Sequence, residues 1–421
     1  MEAKRNENGK ARRGRKAFLI VGIVAAVLAV CVVGYAIWER PPQIAPAPAA
    51  THTPAPASTP APTKTPETPD DVQPSEAPVE TPPVEDGIAA EPLQTDREPG
   101  AYTLLLLGRD FMSNSTDTII VARLDTRSHS IDCVSIPRDT LINISWPTTP
   151  KKINAVYPGY VNSGGDGVEG LRKYLRDLMG FDVDCYSVVN IQAMEDAVDT
   201  IGGVWFDVPQ KMDYDAPDQD LHIHLEAGYQ LLNGEDAVKL CRFRSGYADA
   251  DIGRINTQHA FLKALASQLL TLGNIPNLGS LVTILSENVE TDLTAANLAW
   301  FARQFLQCKM ENIHFHTMPF SNGCMINGTS FVSVNQDAWL EMINSALNPY
   351  TEPVTSANVN LLMSDASGTV VWSNTGVIAG GPDSFRCSEC SAKNGGKVVW
   401  HLPGVHLTFD EPETAEGTPA G

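Results

Sequence analysis

Apolar and polar positions along this chain follow two different periods. Residues 102–107, 118–123, 130–136, 184–190 and 204–208 are short apolar runs rich in β-branched and aromatic side chains, and predict strands. Residues 168–179 and 191–200 carry helical spacing. A longer helix is predicted over 255–272, with Phe261, Leu262, Leu265, Leu269 and Leu270 to one side, and further helices over 293–305 and 337–347. Strands alternating with helices predict an α/β fold: a three-layer α-β-α sandwich with a mixed central sheet, occupying 101–350. Beyond about 353 the pattern breaks into β-like pieces at 359–363, 369–372 and 397–400, followed by a Pro/Glu/Thr tail. The 351–421 region reads as a small β module or as an extension without a core, and the pattern leaves both open.

The N-terminal hundred residues obey neither period. Residues 1–16 form a basic tail containing Lys4, Arg5, Lys10, Arg12, Arg13, Arg15 and Lys16, after which 17–38 run 22 residues without a charge. A bilayer core of about 30 Å needs roughly 20 apolar helical residues, so this segment predicts a transmembrane helix. Basic residues before the span predict a cytoplasmic N-terminus and an extracytoplasmic remainder. A cleaved signal peptide is the rival, but its apolar stretch is usually about 7–15 residues, and Tyr35 and Trp38 suit an interfacial anchor. Sixteen of the 30 prolines lie in 39–100, which reads as an extended linker without a core.

Charge narrows the function. With 30 basic and 50 acidic residues the net charge is −20 and the pI about 4.8, which disfavours nucleic-acid binding through phosphates. Of eight cysteines, Cys31 falls in the span. Cys133, Cys185 and Cys241 sit in apolar runs as buried hydrophobes, while bridges Cys387–Cys390 or Cys308–Cys324 stay open.

The polar residues that resist a core reading cluster at element ends. Gly108-Arg109-Asp110 follows the first strand and Asp117 precedes the second, so two carboxylates at adjacent strand mouths are candidates for one hard cation. Ser135-Ile136-Pro137-Arg138-Asp139 ends the third strand, and Cys241-Arg242-Phe243-Arg244 leads into Asp249, Asp251, Arg254 and Gln258. Arginine forks grip phosphate oxygens bidentately, so several of them in an acidic protein point to an internal anionic ligand. Turn caps and surface ion pairs are the plainer alternative for each one singly.

Taken in order, Leu104-Leu105-Leu106-Leu107-Gly108-Arg109-Asp110, Asp117-Thr118-Ile119-Ile120, Ser135-Ile136-Pro137-Arg138-Asp139-Thr140, Lys152-Ile153-Asn154-Ala155, Ile201-Gly202-Gly203-Val204, Leu232-Asn233-Gly234-Glu235-Asp236-Ala237, Arg242-Phe243-Arg244 and Asp251-Ile252-Gly253-Arg254 closely resemble the LytR–CpsA–Psr family, also called cell-envelope-related transcriptional attenuators. The resemblance covers 101–275 and extends toward 350. It implies a membrane-anchored, extracytoplasmic phosphotransferase that moves a teichoic acid- or capsule-like glycopolymer from a polyprenyl-pyrophosphate carrier to peptidoglycan. It also implies Mg²⁺ or Mn²⁺ on Asp110 and Asp117, and pyrophosphate-binding arginines at Arg138, Arg242 and Arg254 with Arg244 beside them. Gln258 falls on the head-group glutamine and Asp251 on a carboxylate near the reacting phosphate. Two positions depart from the family pattern: Ser115 and Thr257 stand where arginines are usual, and Arg109, Arg123 and Arg244 are candidates to compensate. A non-catalytic envelope-binding protein and a polyprenyl-pyrophosphate hydrolase are the competing functions. A DNA-binding regulator fits neither the acidic domain nor its predicted side of the membrane.

Overall fold

The computed structural model describes residues 41–42, 93, 95–109, 116–144, 151–216, 221–247, 251–271, 283, 288–326, 329–368, 370–379, 399–402 and 405–407. The basic tail, the 17–38 span, nearly all of the linker, Asp110, Ser115, Cys387 and Cys390 lie outside them. Among the described residues no helix is long and apolar enough to cross a membrane.

Strands β1 (Ala101–Arg109), β2 (Thr116–Asp125) and β3 (Ser130–Ser135) form an antiparallel meander. Helices α1 (Val156–Asn162) and α2 (Gly167–Met179) then lead to β4 (Cys185–Val189), which pairs parallel with β1, and to α3 (Ile191–Thr200). The Asp166 side chain caps α2 by accepting from the backbone N–H groups of Val168 and Glu169. Two ribbons follow, β5 (Val204–Val208) with β8 (Gly228–Leu232) and β6 (Met212–Ala216) with β7 (Leu221–Leu225), then α4 (Gly234–Arg242) and α5 (Asp251–Thr271). Next come β9 (Val289–Thr291), α6 (Ala295–Gln307), β10 (Ile313–Thr317), the hairpin β11 (Phe320–Ile326) and β12 (Thr329–Val334), and α7 (Gln336–Met342), which runs into a π-helical turn at Ile343–Leu347. Strands β13 (Leu362–Ser364), β14 (Val370–Ser373), β15 (Val399–Leu402) and β16 (Val405–Leu407) form a separate four-stranded sheet.

The central sheet has six strands in the order β10-β3-β2-β1-β4-β9, with parallel and antiparallel neighbours. Alternation along the strands divides its side chains between two faces. Leu105, Leu107, Ile119, Val121 and Val134 pack with Leu171 and Leu175 of α2 and Trp339 of α7. Leu106, Ile120, Ala122 and Leu124 face the other way, toward Leu262 of α5 and Trp300 and Phe301 of α6. Helices therefore cover both faces. A second core joins β5–β8, α3 and α4 around Phe261 of α5, so this one helix serves two clusters.

Several expectations need correction. The 204–208 strand forms at its predicted bounds but belongs to a ribbon outside the central sheet. The long helix begins at Asp251, not 255, because its first turn buries Arg254 in the site instead of showing an apolar face. Cys308 and Cys324 are free thiols in separate clusters, which excludes their bridge, and Cys241 lies on a helix. The main core also continues past 350, taking in Val354, Val359, Leu361 and Met363.

Candidate active site

Four segments distant in sequence meet where β1 ends and β2 begins. Gly108 pairs with Thr118 but Arg109 pairs with Thr116, so Asp117 is the extra residue of a β-bulge. A bulge locally re-aims its side chain, and here it sends the Asp117 carboxylate among arginines. Asp117 Oδ1 accepts from Arg138 at 3.0 Å, and its Oδ2 lies 2.7 Å from Arg244. Its backbone carbonyl accepts from Arg254 at 2.8 Å. Asp251, on the first turn of α5, ties the same arginines together: its Oδ1 stands 3.0 Å from Arg254 and 3.4 Å from Arg138.

Among the described residues the arginines of the site outnumber its carboxylates. Asp139 is matched by Lys152 at 2.8 Å, Asp117 and Asp251 pair with Arg138, Arg244 and Arg254, and Arg109 and Arg242 line the same cavity. Burial pushes the Asp117 carboxyl up, but Arg244 and Arg138 outweigh it and hold the group below its ordinary value. Burial likewise pulls Arg254 down, only partly offset by Asp251, while at Arg138 the carboxylates of Asp251 and Asp117 overcome burial and raise it. The Nε atom of Arg254 is buried without a hydrogen-bond partner among the described residues, and that of Arg138 has no hydrogen bond but only the 3.4 Å ion-pair approach of Asp251 Oδ1. A buried donor left without a hydrogen bond is costly, and an anion with several oxygens is its natural complement.

This charged end opens into a cavity of about 660 Å³. Arg109, Asp117, Arg242, Arg244, Arg254 and Gln258 line it together with Leu106, Ile120, Val189, Ile191, Met194, Val198, Val238, Leu262 and Leu265. The grading is clearest along α5. Arg254, Gln258, Leu262 and Leu265 all line the cavity at helical spacing, so about 16 Å of helix passes from charge to amide to hydrocarbon. Gln258 is fixed by donating to the Cys241 carbonyl at 3.0 Å.

Several motif residues prove to be supports. Lys152 neutralises Asp139, and the Asn154 N–H donates to the Arg138 carbonyl, so the Lys152–Ala155 motif braces the Arg138 turn. Asn233 caps α4 by accepting from the Asp236 N–H. A Cβ on Gly234 would stand 2.4 Å from the Glu195 carbonyl oxygen, so glycine there lets α4 approach α3. Gly203, at φ 90°, makes the left-handed turn into β5.

Of the predicted site residues, Asp117, Arg138, Arg242, Arg244, Asp251, Arg254 and Gln258 come together, while Asp110 lies outside the described residues. Thr257 turns away from the charge cluster to Tyr247, whose hydroxyl is 2.9 Å from its Oγ1. Arg109 and Arg244 line the cavity, but Arg123 pairs with Glu98 at 2.7 Å beside a different, smaller cavity, which removes it as a compensating residue. The apolar wall from α3 and the β6–β7 residues Tyr214 and Leu221 was not foreseen. The spacing of Ile191, Met194 and Val198 was the available signal, but it reads equally as core packing.

The LytR_cpsA_psr family model matches residues 73–348. The chain belongs to the LytR_cpsA_psr family. Among curated relatives it is 30% identical over 208 residues to the polyisoprenyl-teichoic acid–peptidoglycan teichoic acid transferase TagV of Bacillus subtilis, an alignment covering 47% of this chain and 51% of that protein. It is 27% identical over 241 residues to the similarly named TagU of the same organism, covering 56% of this chain and 74% of TagU. The chain thus spans about half the length of TagV and three quarters of TagU. The crystal structure of protein gbs0355 from Streptococcus agalactiae gives a TM-score of 0.50 at 21% identity, covering 58% of this chain and 86% of that one, a likeness of fold alone. In this LytR_cpsA_psr protein Asp117, Arg242, Arg244, Arg254 and Gln258 line a cavity that is cationic at one end and apolar along its length, and Arg138 and Asp251 join them by ion pairs.

Proposed function

We propose that this cavity is the active site of a membrane-anchored, extracytoplasmic phosphotransferase. It takes a teichoic acid- or capsule-like glycopolymer from a polyprenyl-pyrophosphate carrier and attaches it to peptidoglycan. The grading along α5 is the observation that carries this reading: a pyrophosphate fits beside Arg254 and Gln258, and an isoprenoid tail fits beside Leu262 and Leu265. Burying hydrocarbon contributes about 0.8 kcal/mol per CH₂, so even a partly enclosed tail supplies much of the affinity. The 17–38 segment is the anchor, and the basic 1–16 tail keeps the N-terminus cytoplasmic.

Arg138, Arg242, Arg244 and Arg254 bind the diphosphate oxygens and neutralise the charge that builds up during transfer. The acceptor sugar hydroxyl attacks the phosphorus that carries the glycopolymer. The bond from that phosphorus to the bridging oxygen breaks, and polyprenyl monophosphate leaves. Asp251, freed from its arginines as phosphate oxygens replace it, accepts the hydroxyl proton. The donor chemistry fits a hard cation: Asp117 is kept ionised at the cavity, and a carboxylate offers about four lone-pair sites, of which the arginines use two. Asp117, with Asp110, would hold Mg²⁺ or Mn²⁺, which supplies electrophilic stabilisation of phosphate oxygens when bound.

The test is the full chain in detergent with Mg²⁺, a polyprenyl-pyrophosphate-linked glycan and a peptidoglycan oligosaccharide. The expected products are glycan-bearing peptidoglycan and polyprenyl monophosphate, both abolished by Asp117→Ala. Ligand protection without turnover would identify a binding protein instead, and release of glycan phosphate to water a hydrolase.

A further inference from the structure

The β6–β7 hairpin forms part of the cavity wall through Tyr214 and Leu221, and its other face carries chemistry that the cavity does not use. Alternation puts Asp213 and Asp215 on the outer face of β6, and His222 and His224 on the outer face of β7. The antiparallel register sets Asp213 opposite His224 and Asp215 opposite His222. These side chains are 51–59% exposed. His222 Nδ1 lies 2.5 Å from Asp215 Oδ1, and His224 Nε2 lies 3.4 Å from that same oxygen. Ligand atoms of Asp215, His222 and His224 all fall within 4.8 Å of one another. His224 commits its other nitrogen, Nδ1, to Asp213 Oδ1 at 2.8 Å.

We infer that Asp215, His222 and His224 bind a divalent first-row transition metal, Zn²⁺ foremost, on the outer face of this hairpin. Asp213 acts as the outer partner that orients the His224 ring. Metal–nitrogen and metal–oxygen bonds of about 2.0–2.2 Å give tetrahedral ligand edges of about 3.3 Å, which the His224–Asp215 separation already matches. The closer His222–Asp215 pair has only to open by less than about 1 Å. A histidine that donates its second N–H to a carboxylate is the usual support of a metal-bound imidazole, and the Asp213–His224 pair has that form. A plain ladder of exposed imidazole–carboxylate pairs is a weaker account, because such exposed pairs contribute little to stability. Imidazole donors select zinc, copper or nickel over magnesium, so this site is chemically separate from the hard-cation position at Asp117. Lys211 approaches Asp213 from its Oδ2 side at 3.8 Å and leaves Oδ1 to His224. With three protein ligands and an open, solvent-facing position, the metal fastens β6 to β7 and fixes the wall carrying Tyr214 and Leu221.

This inference stands on the hairpin and needs nothing from the proposed transfer chemistry. The experiment uses the full chain in detergent with Cys387→Ser and Cys390→Ser, to remove the paired thiols, and with excess Mg²⁺ to occupy the hard site. Zn²⁺ is titrated against a chromophoric chelator, and the zinc K-edge is recorded. One Zn²⁺ per chain with imidazole scattering is expected, together with slower amide exchange in β6 and β7. His222→Ala/His224→Ala should lower affinity by about 100-fold or more, and Asp213→Asn by about 10–100-fold at unchanged stoichiometry. No stoichiometric Zn²⁺, or undiminished affinity in the double histidine variant, overturns the site.

Discussion

The two faces of the central sheet are built from the same strands and put to opposite uses. On one, Leu105, Leu107, Ile119 and Val121 disappear under α2 and α7, and Trp339 is wholly buried with its Nε1–H donating to the Leu178 carbonyl at 2.8 Å. On the other, Leu106 and Ile120 are their immediate neighbours in sequence, yet they line a cavity with arginines at its end. Both faces present apolar side chains, so apolar content alone does not separate core from binding wall. What separates them is whether a covering helix lies flat on the sheet or, like α5, is shared with a second core and held away from part of it.

The comparison breaks most visibly at Trp339. Trp339→Ala should cost about 3–5 kcal/mol of stability, read from denaturant unfolding, because the closed face cannot collapse around the void. Arg244→Ala, at the charged end of the open face, should lower transfer by about 10²–10³-fold while leaving the melting temperature nearly unchanged, since this side chain is 40% exposed. Arg244→Lys should rescue it poorly, because an ammonium lacks the bidentate fork. Equal losses of activity and stability would show that the arginine is scaffold. Leu265→Ala should raise KM for long-tailed carriers more than for short ones and cost about 1 kcal/mol in stability, because it lines the cavity and is only partly buried against the second core. A pH-dependent effect is expected at the seam where α5 meets β3. His259 is held down to about 4, chiefly by burial and secondarily by His316, with its Nε2 2.7 Å from Ser135 Oγ. As pH falls from 6.5 toward 4, the unfolded chain takes a proton that the folded one refuses, so stability declines across that window. His259→Gln should flatten the decline, and an unchanged pH profile would count against the seam.

Legibility in the sequence followed the range of the interactions. The first three strands and α2 were readable because their periods are local. The mixed character of the sheet was also readable from the order of elements. The pairing of β10 with β3 was not, because its partners are brought together only by the intervening chain. The ribbons β6–β8 were missed although His222 and His224 alternate cleanly with Leu221, Ile223 and Leu225, since such short strands leave few periods to count. The family motifs brought the arginines into view, but only the fold separated Arg244, at the cavity, from Arg123, at the opposite end of β2. Thr257 could not be read as a packing residue, because its partner Tyr247 is set by the loop before α5.

The strand order also sets a timetable for folding. β1, β2 and β3 come from one contiguous stretch, 101–135, and can pair as soon as they exist. The strands that close the sheet, β9 at Val289–Thr291 and β10 at Ile313–Thr317, arrive much later in the chain. Until they do, β3 and β4 each present an unsatisfied edge, the kind of surface that recruits foreign strands. A nascent chain of this protein is therefore most vulnerable to mispairing late in its synthesis, after the cavity-lining residues of α5 have been made and before the sheet has acquired its borders.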